Sequence, residues 1–245
     1  MRYELMTPRQ IRAAIDNRWP CLLPLGVLEY HGEHLGVGMD TLAVERVLHR
    51  LEREMDVVVL PSFYYGAASF AVAPPERRGT VHVPGEALGP FAKALFAGLL
   101  RVGFRNIHGI IHHQSENFDA GMPTDLAFKN AARQAIFEFL DRDRGEGWWG
   151  RPESADYYAQ HAKGGDPFNW IRFHPLMDAS IIKAFAFDHA GVGETSLMMA
   201  LCPEAVDMGA FDETAWFSRS AMEATSAFGE RGIALILDHL KEVLA

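Results

Sequence analysis

Early in this chain, two carboxylates and an imidazole stand in a spacing that suits a metal ion. Glu29 and His31 are two residues apart, so in an extended segment both side chains leave from one face. Gly32, Gly36 and Gly38 follow and allow tight turns, which can bring the next carboxylate, Asp40, back beside them. Glu, His and Asp converging at a strand end make an oxygen and nitrogen ligand set. It suits zinc, manganese or iron better than a thiolate-binding site would. Taken one at a time, the residues have plainer readings: Asp40 as a helix N-cap, Glu33 and His34 as solvated surface groups.

Two later stretches have a similar character. His112-His113-Gln114-Ser115-Glu116-Asn117 follows the apolar run 107–111, and a histidine with a glutamate just past a strand end again offers ligands. Asp188-His189-Ala190-Gly191-Val192-Gly193-Glu194-Thr195-Ser196 offers His189 and Glu194 as an acid/base pair, or Glu194 as a further ligand. The plainer alternatives are a hydrogen-bonded core imidazole for His189 and a first-turn helix carboxylate for Glu194.

Alternating strands and helices must position these residues. Cys21–Gly26 is a short apolar strand that leads straight into the Glu29/His31 stretch. Thr7-Pro8-Arg9-Gln10 carries a cap, a proline at the first helical position and a glutamine three residues after the cap, opening a helix to about Asn17. Leu42, Val44, Val47, Leu48 and Leu51 recur at helical spacing from Thr41 to about Met55. Val57–Leu60 is a β-branched strand, Glu86–Val102 a helix, Asn106–His112 a strand and Thr124–Leu140 a helix. Residues 62–85 form a long irregular segment, read either as a pocket wall or as a self-packed surface loop. Asp141–Gly150 reads as a flexible excursion, and 151–175 has aromatics without clear periodicity. Glu194–Leu201 is a short helix, and from about Asp212 the chain reads as helical, interrupted near Gly229 and Gly232. The alternation predicts an α/β fold with a mostly parallel sheet covered on both faces, where ligands gather at the carboxyl ends of the strands.

A length of 245 residues and 49% hydrophobic content fit one large domain, 1–245. The net charge of −9, with no basic run, argues against a nucleic-acid surface. No apolar run approaches the roughly 18 residues of a membrane span, and the start of the chain has no signal-peptide pattern. Cys21 and Cys202 give no disulfide framework, so a cytoplasmic location with reduced core thiols is expected.

The stretch from Glu29 through His31, Gly32 and His34 to Asp40 resembles the Glu-x-His-Gly-x-His-(five residues)-Asp signature of the creatininase (creatinine amidohydrolase) family. His189-Ala-Gly-Val-Gly-Glu194-Thr-Ser resembles that family's His-(Ala/Gly)-Gly-x-x-Glu-Thr-Ser motif. The resemblance implies a three-layer α/β/α sandwich, two divalent metal ions (zinc or manganese), hydrolysis of a non-peptide C–N bond and commonly a homohexamer. It also implies that Glu29 holds one metal, His31 the other, and Asp40 bridges them.

The middle motif departs from the family's Asn-Gly-His, two residues, Asn. Counting forward from Gly103 puts His113 on the family histidine, counting back from Asn117 puts Gln114 there, and one residue has been inserted between. His113 and Glu116 are the expected ligands, with Glu194 as the alternative to Glu116. Creatininase proper has a tryptophan where this chain has Phe185, and many members carry a histidine before the pair that here is Gly79-Thr80. The expected substrate is therefore a small cyclic amide, imide or urea other than creatinine.

In that reading His189 protonates the leaving nitrogen, and Glu194 orients it or shuttles the proton. His34 steadies a ligand. Trp149, Trp170 and Phe185 wall a pocket for a flat ring, with ordinary packing as the alternative. The rival readings are a binding or structural subunit whose second metal site the insertion has spoiled, and a hydrolase of a lactone or formamide.

Overall fold

The computed structural model describes all 245 residues, Met1–Ala245. Four parallel strands form its sheet: β1 (Cys21–Leu25), β2 (Val58–Val59), β3 (Ile107–Ile111) and β4 (Ile171–Pro175), in spatial order β2-β1-β3-β4. Every residue of β1, β2 and β3 is buried, as expected of a parallel sheet with helices on both faces.

Strand alternation sorts the core into two layers. Leu22 and Ile110 point to one side, into a cluster with α2 (Met39–Leu51), α6 (Ala179–Ala184), α7 (Val192–Leu201) and α8 (Ser226–Leu244). Leu23, Leu25, Ile107 and Ile111 point to the other, against α1 (Pro8–Asp16), α3 (Gly85–Val102) and α4 (Pro123–Arg144). The result is the expected three-layer α/β/α sandwich.

Several local expectations hold because their causes are local. The Thr7 N–H donates to Gln10 Oε1 at 2.8 Å, closing the start of α1. The N-cap of α2 is Gly38, so Asp40 lies in the helix's first turn and does not cap it. Other expectations fail for reasons that reach further along the chain. Residues 151–175 contain α5 (Tyr157–Ala162) and β4, which was not expected because its Arg172 and His174 interrupt the apolar pattern. Asp141–Arg144 belongs to α4, not to a flexible excursion, and the helix ends at Gly145 with φ of 78°.

Residues 212–223 contain only 3₁₀ turns, and α8 starts after Thr225, whose Oγ1 accepts the Phe228 N–H at 3.1 Å. Gly229 and Gly232 lie inside α8 and do not interrupt it. A Cβ on Gly229 would meet Ser196 O at 1.9 Å, so this glycine lets α8 approach α7.

The sheet's edges are covered in two ways. At β2, Val59 N–H donates to Met1 O at 2.8 Å. At β4, the ladder to β3 uses Trp170 O and Leu176 N–H, so Ile171, Phe173 and Pro175 turn their backbone groups outward. Arg133 Nη1 donates to Ile171 O at 3.1 Å, and Pro175 has no N–H to offer. No helix is long and apolar enough to cross a membrane.

Candidate metal centre

The site forms where β1 and β3 end. After β1 the chain passes directly against the start of α2: a Cβ on Gly26 would lie 2.3 Å from Thr41 Oγ1. That approach brings Asp40 to residues 29–31. The intervening loop is closed by Glu29 N–H donating to Val37 O at 2.9 Å, and it turns at Gly32 with φ of 75°.

Two triads of ligand atoms share Asp40: Glu29, Asp40 and His113, and His31, Asp40 and Glu194, all five residues buried. His113 Nδ1 stands 3.4 Å from Glu29 Oε2 and 3.4 Å from Asp40 Oδ2. His31 Nε2 stands 3.8 Å from that same Asp40 oxygen and 3.6 Å from Glu194 Oε2. These separations are long for hydrogen bonds. Donor atoms each about 2.0–2.2 Å from a common tetrahedral ion would lie about 3.3–3.6 Å apart, so the spacing fits a cation between them. Asp40 Oδ2 is buried without any hydrogen-bond partner, as a group awaiting an ion would be.

Three of the ligands, Glu29, His31 and Glu194, are held from behind. The Ser69 N–H donates to Glu29 Oε1 at 2.9 Å, and His31 Nδ1 lies 3.1 Å from Glu29 O, which leaves Nε2 to face the carboxylates. Glu194 Oε2 accepts the Ala190 N–H at 2.7 Å, and Oε1 pairs with His112 Nε2 at 3.0 Å. Ala190 has φ of 57°, an uncommon left-handed conformation for alanine, beside His189. His34 Nε2 pairs with Thr195 Oγ1 at 3.0 Å, linking the first motif to the third.

Electrostatics match the geometry. Burial alone would push the His113 pKa down, but Asp40 and Glu29 beside it lift it to about 9. His31 and His112 are raised in the same way against burial, by Asp40 and Glu194 for the first and by Glu194 and Asp40 for the second. Burial would raise Asp40 and Glu194, yet the imidazoles hold both below the usual carboxylate range. An ion bound at the triads would compete with protons for His31 and His113.

His189 is half-buried, with Nε2 3.0 Å from Tyr30 O and its ring stacked on His31 at 4.2 Å. Glu194 makes no hydrogen bond to it, so the expected His189–Glu194 pairing is replaced by Glu194 at the second triad. Glu116 stands apart from both triads: it is exposed at the cavity mouth and accepts from Asn117 Nδ2 at 3.0 Å. His113, not Gln114, faces Glu29 and Asp40. Gln114 adopts φ of 53° before a 3₁₀ turn at Ser115–Asn117.

The three expected pocket aromatics lie elsewhere. Trp149 is 49% exposed and rests against Tyr157 and Tyr158. Trp170 lies under Arg105 and Phe139 on the opposite side of the sheet. Phe185 is core, stacked on Phe228 at 4.5 Å and packed against Gly232. A cavity of about 440 Å³ over the triads is instead lined by Ala71, Val72 and Phe187, with Ser69, Gln114 and Asp188. A cavity of about 500 Å³ beside Trp148 and Tyr157 has no comparable cluster of buried ligands.

Ser69, Ala71 and Val72 thus make part of the long segment 62–85 a pocket wall, while His82 packs back on Ala68 and Phe70 within the segment. It is pinned by Tyr30 N–H donating to Thr80 Oγ1 and by Ala67 N–H donating to Thr124 Oγ1. Sequence reasoning missed Phe187 and His112. Phe187 is two residues past Phe185, and His112 sits in a His-His pair that strict strand alternation would have split between two faces.

A family model described as creatininase, creatinine amidohydrolase, matches residues 4–242. The creatinine amidohydrolase of Pseudomonas putida is 26% identical over 189 residues, covering 76% of this chain and 66% of that protein. A 3-dehydro-scyllo-inosose hydrolase of Thermotoga maritima is 29% identical over 104 residues, 42% of this chain and 32% of that protein. The chain thus spans less than two thirds of the length of these relatives. Among solved structures, a creatininase with one tryptophan replaced by phenylalanine has a TM-score of 0.73 at 19% identity, covering 99% of this chain and 96% of that one. Creatininases solved in a Zn-Zn form and an Mn form share the fold at TM-scores of 0.70 and 0.69.

Proposed function

The chain belongs to the creatininase family, and from that premise we propose that it is a metal-dependent amidohydrolase opening a non-peptide C–N bond of a small cyclic amide, imide or urea. In this reading residues 1–245 act as one metal-hydrolase domain, assembled as a homo-oligomer as the motif resemblance implies. The observation that carries it is Asp40 Oδ2, buried without a partner and facing both His113 and His31. Glu29, Asp40 and His113 would hold one divalent ion, and His31, Asp40 and Glu194 the other. Zinc and manganese fit this donor set, and relatives of the same fold were solved with each.

Divalent ions held there would make water acidic enough to ionise near neutral pH and would draw charge from a carbonyl oxygen. The residues supply the rest. Asp40 sets one carboxylate between the two sites, while Ser69 N–H and Glu29 O hold the outer ligands still. His189 has Nε2 committed to Tyr30 O, which leaves Nδ1 to carry a proton to the departing nitrogen. Val72 and Phe187 give the cavity apolar lining that would limit water beside a substrate ring. Glu116, at the mouth, is placed to accept a hydrogen bond from a substrate N–H.

The reading of a spoiled second site is disfavoured because the insertion leaves His113 in contact with Asp40 and Glu194 takes the remaining ligand position. The test is metal analysis of the purified protein together with hydrolysis assays on cyclic amides, imides and ureas, with lactones and formamides alongside. Two ions per chain and turnover of a ring C–N bond support the proposal. One ion or none, or turnover confined to lactones or formamides, overturns it.

A further inference from the structure

We infer that His112 is a positioning residue that fixes Glu194 for the second ion. The inference rests on the two-ion reading above and adds a residue that the ligand triads do not contain.

His112 is buried just past the end of β3, and its Nε2 lies 3.0 Å from Glu194 Oε1. Glu194 Oε2 takes the Ala190 N–H at 2.7 Å and turns toward His31 Nε2 at 3.6 Å. Each oxygen of this carboxylate thus has one fixed donor. Without His112, Oε1 would be a buried charged oxygen with no donor, free to rotate away from the triad.

The proton assignment follows from the surroundings. His112 Nδ1 is buried without a partner, so a hydrogen there would be an orphan donor, while the bare Nε2 would oppose a carboxylate oxygen. With hydrogen on Nε2 both problems vanish, and His112 is a donor to Glu194. The ring is steadied by Phe187, edge-on at 6.0 Å.

The test is calorimetric titration of the metal-free protein with Zn²⁺ alone, for the parent and for His112→Leu, His112→Gln and His112→Asn. The parent takes up two ions. His112→Leu keeps the affinity of the first and weakens the second by about 10–100-fold. The amide nitrogen of glutamine reaches the Nε2 position, so His112→Gln restores the second affinity. Asparagine reaches only the Nδ1 position, so His112→Asn does not. This glutamine–asparagine contrast decides the matter even if the leucine variant fails to fold.

Equal binding of the second ion by all three variants, an equal loss at both sites, or a glutamine variant no better than the asparagine one each overturns the inference. A parent that binds fewer than two ions overturns the two-ion reading and this inference with it.

Discussion

His108 and His112 are four residues apart on one chain segment, both buried, yet they live in opposite electrostatic surroundings. His108 lies within β3, hydrogen-bonded through Nδ1 to His174 Nε2 at 2.9 Å, with Asn106 and Arg172 at its other nitrogen. Burial, Arg172 and His174 push its pKa down to about 2, and burial, Arg172 and His239 push His174 down to about 4. His112, beyond the strand end, is raised against its burial by Glu194 and Asp40. An imidazole pair beside a guanidinium stays neutral and repels a further cation. Imidazoles among three carboxylates attract one. Buried histidines occur in both regions, and only the one beyond the strand ends, with its carboxylates, is suited to a metal.

The contrast is broken most severely at Asp40. Asp40→Ala should lose both ions and all hydrolysis, measured as metal content per chain, and full metal retention in that variant would remove the shared role. Next in size is Glu194→Gln. It should weaken the second ion by more than the roughly 10–100-fold typical of groups that merely hold a ligand, whereas Glu116→Gln leaves both affinities unchanged in the same titration.

A smaller effect separates the regions by pH. His174 has a depressed folded pKa, so its contribution to stability is present above an unfolded value of about 6.5 and is lost as pH falls toward about 4. Replacing His108 and His174 together by leucine should flatten the fall in melting temperature between those values. The metal-free cluster beyond the strand ends has the opposite sign. His113, raised to about 9, contributes below pH about 6.5 and loses that contribution as pH rises to about 9. Metal-free protein should therefore melt progressively lower across that alkaline window, and metal-loaded protein should not. Equal slopes with and without metal would sink the contrast.

The smallest change is expected at Ala190. Ala190→Gly removes a side chain from a left-handed position and should alter stability by at most about 1 kcal/mol, with metal content unchanged.

Much of the centre was legible because its causes are short-range. The two-residue spacing of Glu29 and His31, the glycines after them and the amphipathic α2 fix Asp40 near both without help from distant chain. His113 could be chosen over Gln114 on ligand chemistry. The second carboxylate could not be chosen, because whether Glu116 or Glu194 turns inward depends on the backbone turn at Gln114, and a left-handed glutamine leaves no sequence signal. The pocket aromatics failed for a related reason: tryptophans and phenylalanines serve core, surface and cavity equally, and only packing against Phe228 or Arg105 tells which. β4 was hidden because its polar side chains, Arg172 and His174, find partners in His108 and Asn106 inside the fold, against the usual apolar pattern.

The blunted rim at β4 has a consequence for growth beyond one molecule. Of its outward backbone groups, one carbonyl is already occupied by a guanidinium and one position is a proline, so a neighbouring chain would find few sites to stitch onto. Copies of this protein that gather would have to meet through helices and loops, and the ribbon of strands should end where each molecule ends rather than run on into fibres.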